Sequence, residues 1–284
     1  MAVYIHQGSR IITQGITGRA GRFFTERCLG YAAGRACFVA GVNPAKAGGE
    51  IFGLPIYASV REAAAATGAT VSVIYVPPPA AAGAILEAAQ AGLALVVCPV
   101  QGIPVKDMLH VRAQMRAIAA ASGRHTLLLG PGSPGVISPG QVVAGIMPAH
   151  IHKPGRVGIV SHSGTLAWEA AAQLGALGLG QSSAVGLGAE PVGGLGYLDV
   201  LQAFHADADT DAVVMLGSAA GRGEIDAALW WRQHMRKPLV AYIAGAASGD
   251  AAAAAKLEVL RGCGAAVTGN PSEIGHLARQ ALCG

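Results

Sequence analysis

Short apolar runs that end on glycine or proline alternate with helix-type runs along the whole chain, and this alternation limits the possible folds more than any other feature. In the first half, residues 10–14, 38–42, 71–76, 94–100 and 126–129 read as buried strands. Residues 19–31, 59–67, 80–91 and 104–121 read as helices, with Ser59 and Glu62 as a capping box and Pro104 in a first helical turn. Continuous apolar strands separated by helices predict a parallel sheet covered on both faces. Residues 130–155 interrupt the pattern with Gly130-Pro131-Gly132-Ser133-Pro134-Gly135, Ser138-Pro139-Gly140 and Lys153-Pro154-Gly155. This is turn chemistry with little room for a helix, and it is expected to form a packed passage between two domains. Alternation then restarts, with strands at 157–161, 182–187, 212–216, 239–243 and 265–268. Helices are expected at 164–177, 197–206, 224–235, 250–261 and 271–282. The expected architecture is two doubly wound α/β units in tandem, residues 1–125 and 126–284.

Composition narrows the function classes. A chain with 52% hydrophobic and 13% charged residues is not disordered. No apolar run nears the roughly 20 residues of a bilayer span, so no membrane role is expected. The net charge of +4 is scattered without a basic block, which disfavours nucleic acid. The N-terminal residues lack a charged segment followed by an apolar one, and the five cysteines include no Cys-x-x-Cys pair. Reduced thiols in a cytoplasmic protein are therefore expected, without a disulfide framework or a metal site.

Two turns could carry chemistry. Gly15-Ile16-Thr17-Gly18-Arg19-Ala20-Gly21 follows the first strand and opens the first helix. Glycines there let a phosphate approach the backbone, while the helix N-terminus presents free N–H groups to it. A tight strand-to-helix turn alone can also require glycine. The acid that commonly binds a ribose hydroxyl after the second strand is absent, and Asn43-Pro44-Ala45-Lys46 stands there instead. Lys46 either pairs with a ribose phosphate, favouring a phosphorylated nucleotide over NAD, or is a solvated loop lysine. The second turn, Ser161-His162-Ser163-Gly164-Thr165, repeats the geometry with hydroxyls added. It reads as an anion cradle of Ser161, Ser163, Gly164 and Thr165, or as ordinary N-capping by Ser163.

Several motifs occur in a recognisable order. They are the Gly15–Gly21 turn, Pro44-Ala45-Lys46-Ala47-Gly48, Ile74-Tyr75-Val76-Pro77, Gly102-Ile103-Pro104, Gly130-Pro131 with Pro134-Gly135-Val136-Ile137, Gly145-Ile146-Met147-Pro148, His150-Ile151-His152-Lys153-Pro154-Gly155 and Ser163-Gly164-Thr165-Leu166. Together they resemble the α subunit of succinate–CoA ligase and its malate– and citrate–CoA ligase relatives. The resemblance implies a CoA-binding Rossmann-like domain followed by a flavodoxin-like ligase domain. It implies coenzyme A bound by Gly15, Thr17, Gly18, Arg19, Lys46, Val76, Pro77, Val100 and Gln101. It also implies an ATP-grasp β-type partner that uses ATP or GTP with Mg to activate a small carboxylic acid.

The sequence departs from that pattern where the chemistry lies. The family's phosphohistidine follows a Tyr-Ile-Ala-Gly strand end, but here Tyr242-Ile243-Ala244-Gly245 runs at once into Ala246-Ala247-Ser248-Gly249 and an alanine-rich helix. No histidine occurs between His234 and His276, and Ser218 stands where the family has the acid supporting that histidine. His162 is the remaining catalytic candidate. The expected function is an α-subunit-like component of an ADP- or GDP-forming acid–CoA ligase without a phosphohistidine. The alternatives are a carbamoyl or acyl transferase on the same scaffold, or a non-catalytic CoA-binding partner subunit.

Overall fold

The structure, a computed structural model, describes residues 2–283. The first sheet contains β1 (Ile11–Gln14), β2 (Phe38–Val42), β3 (Glu50–Ile51), β4 (Leu54–Tyr57), β5 (Val71–Ile74), β6 (Leu95–Val97) and β7 (Leu127–Leu129). Their spatial order is β3-β4-β2-β1-β5-β6-β7, all parallel except the edge strand β3. The parallel strands reproduce the doubly wound order in which β1 is flanked by β2 on one side and β5 on the other, leaving a crevice at that reversal. The strand β7 belongs to this sheet, so a division at 125/126 would cut it away from its partner β6.

The second sheet contains β8 (Gly135–Ser138), β9 (Val142–Gly145), β10 (Pro154–Ser161), β11 (Gln181–Gly186), β12 (Ala212–Ser218), β13 (Leu239–Ala244) and β14 (Ala266–Thr268). Its order is β14-β13-β12-β10-β11-β8-β9. The parallel strands β11-β10-β12-β13-β14 follow the flavodoxin-like arrangement, with a reversal at β10. The passage expected at 130–155 is more regular than its composition suggests. Its core is the antiparallel hairpin β8–β9, which extends this sheet along β11.

Helices α1 (Arg19–Leu29), α2 (Gly34–Cys37), α3 (Val60–Thr67), α4 (Pro78–Gln90) and α5 (Val105–Ser122) accompany the first sheet. The second carries α6 (Gly164–Ala176), α7 (Tyr197–Ala206), α8 (Gly223–His234), α9 (Ala251–Gly262) and α10 (Ile274–Cys283). Ser59 caps α3 by accepting from the Glu62 amide at 3.2 Å, but the Glu62 carboxylate accepts from Ala58 N, one residue before the cap. The expected capping box is therefore displaced by one residue. Pro104 likewise stands at the cap of α5 and not in its first turn.

The first sheet is two-faced. Ile12, Ile74, Val96 and Leu128 pack in one core with buried residues of α3, α4 and α5. Ile11, Val73, Val97 and Leu129 point the other way, into a core continuous with that of the second unit. There the Tyr75 hydroxyl donates to the Gly145 carbonyl at 2.8 Å, tying the end of the first sheet to β9. Val3 N donates to Ser183 Oγ, and Ser138 Oγ donates to Ile5 O, so the N-terminal segment is bonded to the second sheet. Among the described residues, no helix is long and apolar enough to cross a membrane.

Candidate functional site

Two cavities open at the carboxyl ends of the strands, one at each reversal of strand order. In the first unit, a cavity of about 280 Å³ is lined by Gly15, Thr17, Gly18, Val76 and Pro77, together with Asn43. Gly15 has a φ of 80°, a conformation open to glycine. A Cβ on Gly21 would fall 2.1 Å from the Gly15 carbonyl oxygen, so the last glycine of the turn lets α1 start hard against the strand end. Gly18 is the N-cap of α1 and has no side chain to satisfy the first-turn amides.

A second hollow of about 380 Å³ in the same unit is lined by Thr17, Arg22, Lys46 and Glu50. Lys46 is exposed and makes no ion pair among the described residues. It is carried by a short 3₁₀ turn whose cap, Asn43, accepts from Ala45 N at 3.0 Å and donates through Nδ2 to Thr17 Oγ1. That bond joins the glycine turn to the lysine loop. Arg22 and Asn43 were not singled out from the sequence, although asparagine before proline is a capping signal. Arg19 is exposed at the start of α1 and lines neither hollow. Val100 and Gln101 lie beyond β6, on the side facing the second unit.

The second unit's cavity, about 480 Å³, is lined by Pro131, by His162 after β10, by most of the loop after β11, including Gly188 and Glu190, and by Ser218, Ala220 and Gly221 at the end of β12 and beyond. The loop is bonded to the first unit: Gly102 N donates to Glu190 Oε1 at 3.1 Å, and Gly194 N donates to Gly130 O at 2.9 Å. Gly132 N donates to Val100 O at 2.8 Å. Val100 and Gln101 thus sit where the first unit is bonded to Gly132 and the loop after β11, and they line neither cavity.

The proposed anion cradle is largely occupied by its own capping. Ser163 Oγ accepts from Leu166 N at 3.3 Å and pairs with Thr165 Oγ1, while Ser161 Oγ donates to Ser163 O and accepts from Ser163 N. Of the four residues, none lines the 480 Å³ cavity. His162 does line it, with Nδ1 against the Gly188 carbonyl oxygen and its ring edge-on to Tyr197 at 4.8 Å.

Behind Ser218 lies a buried ion pair. Lys256 Nζ on α9 meets Glu224 Oε2 at 2.8 Å and donates to the carbonyls of Ser218 and Ala220. The other Glu224 oxygen accepts from Ser218 N at 3.1 Å. All three Lys256 protons are thus used, and the loop after β12 is pinned from beneath.

A Rossmann-type unit followed by a flavodoxin-type unit, each with a cavity at its strand reversal, defines a two-domain α/β ligand-binding protein. Residues 6–102 match the family described as CoA binding domain, and residues 154–275 match the succinyl-CoA ligase like flavodoxin domain. The alpha subunit of ADP-forming succinate–CoA ligase from Aquifex aeolicus is 43% identical, over 99% of this chain and 95% of that one. Its Staphylococcus aureus counterpart is 44% identical over 97% and 93%. The chain belongs to the succinate–CoA ligase alpha-subunit family. In fold it also resembles an ATP citrate lyase from Methanothrix soehngenii, solved with citrate and coenzyme A, at a TM-score of 0.85 and 23% identity. That alignment covers 99% of this chain and 50% of the lyase.

Proposed function

We propose that the chain binds coenzyme A in its first unit and serves as the α-type component of an acid–CoA ligase. A β-type subunit of ATP-grasp class would hold ATP or GTP with Mg and convert a small carboxylic acid to its acyl phosphate. Succinate is the acid in the names of the relatives. The observation that carries this reading is the paired hollow around Thr17, where a glycine turn with open amides adjoins two cationic side chains, Arg22 and Lys46. A 3′-phosphorylated nucleotide with a pyrophosphate needs such a combination of backbone donors and fixed positive charge. The cavity lined by His162 and Glu190, bonded to the first unit through Gly102, is where a thiol-bearing arm would meet the activated acid.

The family's histidine segment is missing, and the buried Glu224–Lys256 pair fixes the loop beside which it would stand. Direct attack of the thiol on the acyl phosphate therefore replaces a phosphohistidine relay, and the protein contributes positioning and anion stabilisation. The same missing segment supports a second reading, a non-catalytic CoA-binding partner.

Calorimetric titration with CoA tests the binding reading. Lys46→Ala is expected to weaken binding by roughly 1.5–3 kcal/mol, the usual worth of a hydrogen bond to a charged group. An unchanged affinity would remove Lys46 from the site, and an absence of heat with the unsubstituted chain would refute the reading.

A further inference from the structure

We propose that His162 takes the proton of the CoA thiol through its Nε2 atom, a role that rests on the acid–CoA ligase reading above. The imidazole is held on one side by a backbone carbonyl, Gly188 O against Nδ1. A carbonyl oxygen only accepts, so Nδ1 carries the hydrogen and the lone pair of the neutral ring lies on Nε2. Tyr197 fixes the ring plane: its ring packs edge-on, its hydroxyl accepts from His162 N at 3.4 Å and donates to Leu216 O at 2.5 Å. Nε2 itself bonds to no described residue and is not among the buried polar atoms lacking a partner. The basic edge of the ring is therefore free while the opposite edge is anchored.

The wall of the cavity His162 lines is bonded to the strand end after β6: Glu190, which lines it, accepts from Gly102 N, and Gly132, next to the lining residue Pro131, donates to Val100 O. A thiol carried past that strand end would reach the Glu190 side of the cavity on which the imidazole lies. The other titratable groups facing it are Glu190 from the loop after β11 and Tyr197 from α7. The Glu224 carboxylate from α8 stands behind Ser218 and is neutralised by Lys256 of α9. Glu190 is already bonded to Gly102, and Tyr197 is spent on Leu216 O. His162 is left as the group poised to accept a proton.

The step balances without a further reactant. The S–H bond breaks and its proton passes to Nε2, and the thiolate attacks the acyl carbon of the acyl phosphate. A C–S bond forms, the C–O bond to phosphate breaks, and phosphate leaves with the electron pair. The imidazolium then returns its proton to phosphate or solvent. A base is needed because only a few per cent of an ordinary thiol is ionised near neutrality.

The test is thioester formation by the complex of this chain with its β-type subunit, given ATP, Mg, succinate and CoA, followed across pH. His162→Asn is the informative variant, because its amide nitrogen can still donate to Gly188 O while nothing replaces Nε2. The expected rate at neutral pH is roughly 10²–10⁴-fold lower, the usual range for general base catalysis. The deficit is expected to shrink as rising pH ionises the thiol unaided, with CoA affinity unchanged by calorimetry. His162→Gln, which places an uncharged amide near Nε2, is expected to behave the same way. Wild-type rates in His162→Asn would make the ring structural and overturn the proposal. Phosphate from γ-labelled ATP trapped on His162 would also overturn it, by making the ring a nucleophile. Failure of the unsubstituted chain to bind CoA would instead refute the ligase reading itself, and the proposal with it.

Discussion

His152 is buried, and neither ring nitrogen finds a hydrogen-bond partner. Burial pushes its pKa down from 6.5 to about 4, so the native protein holds it neutral, whereas the unfolded chain protonates it near its ordinary value. Its contribution to stability is complete above pH 6.5 and is lost as pH falls toward 4, on the order of 3 kcal/mol in all. Urea unfolding between pH 4 and 7 should show that slope, and His152→Phe should flatten it; an unchanged slope would place the acid sensitivity elsewhere. At this scale the sequence was partly legible. The glycine turn, Lys46 and His162 stood out by residue type and position relative to strand ends. The carbonyl that selects the His162 tautomer did not, because a backbone acceptor 26 residues away has no side-chain signature. The same holds for the hydroxyls of Ser161 and Ser163, whose local bonds take up the groups that an anion would have used.

The alternation of strands and helices was readable because buried parallel strands need continuous apolar runs, and both sheets comply. The hairpin β8–β9 was not, since its glycines read as loop punctuation. They are there for close approach: a Cβ on Gly135 would fall 2.8 Å from Gly145 Cα, and one on Gly145 would fall 2.6 Å from Gly135 Cα. Two backbones meet where turns were expected. The ion pair between α8 and α9 was equally hidden, because Glu224 and Lys256 are 32 residues apart. Removing one partner leaves a charge buried without compensation, so Lys256→Met is expected to cost about 3–5 kcal/mol. Lys256→Met with Glu224→Gln should recover much of that loss in thermal or chemical unfolding. If the single variant unfolds like the wild type, the pair does not pin the loop after β12.

The two units share one continuous core across the face carrying Ile11, Val73 and Val97, and strand ends from both meet around Val100, Glu190 and Gly132. That arrangement puts the hollows around Thr17 and the histidine cavity on the same molecule with a bonded seam between them. The family's partner-dependent chemistry then requires a second chain, and mass measurement of a co-expressed pair should find a heteromer. Chains that stay separate would contradict the association with a β-type partner.

The most direct measurement follows the phosphate. The complex is incubated with γ-labelled ATP, Mg, succinate and CoA, quenched in alkali, and this subunit is assayed for acid-labile label while acyl-CoA is quantified. The absent histidine segment and the loop held by Glu224 and Lys256 predict acyl-CoA formation with no label on this chain. Acid-labile label on this subunit, chased into product, would contradict direct thiolate attack and restore a phosphohistidine relay.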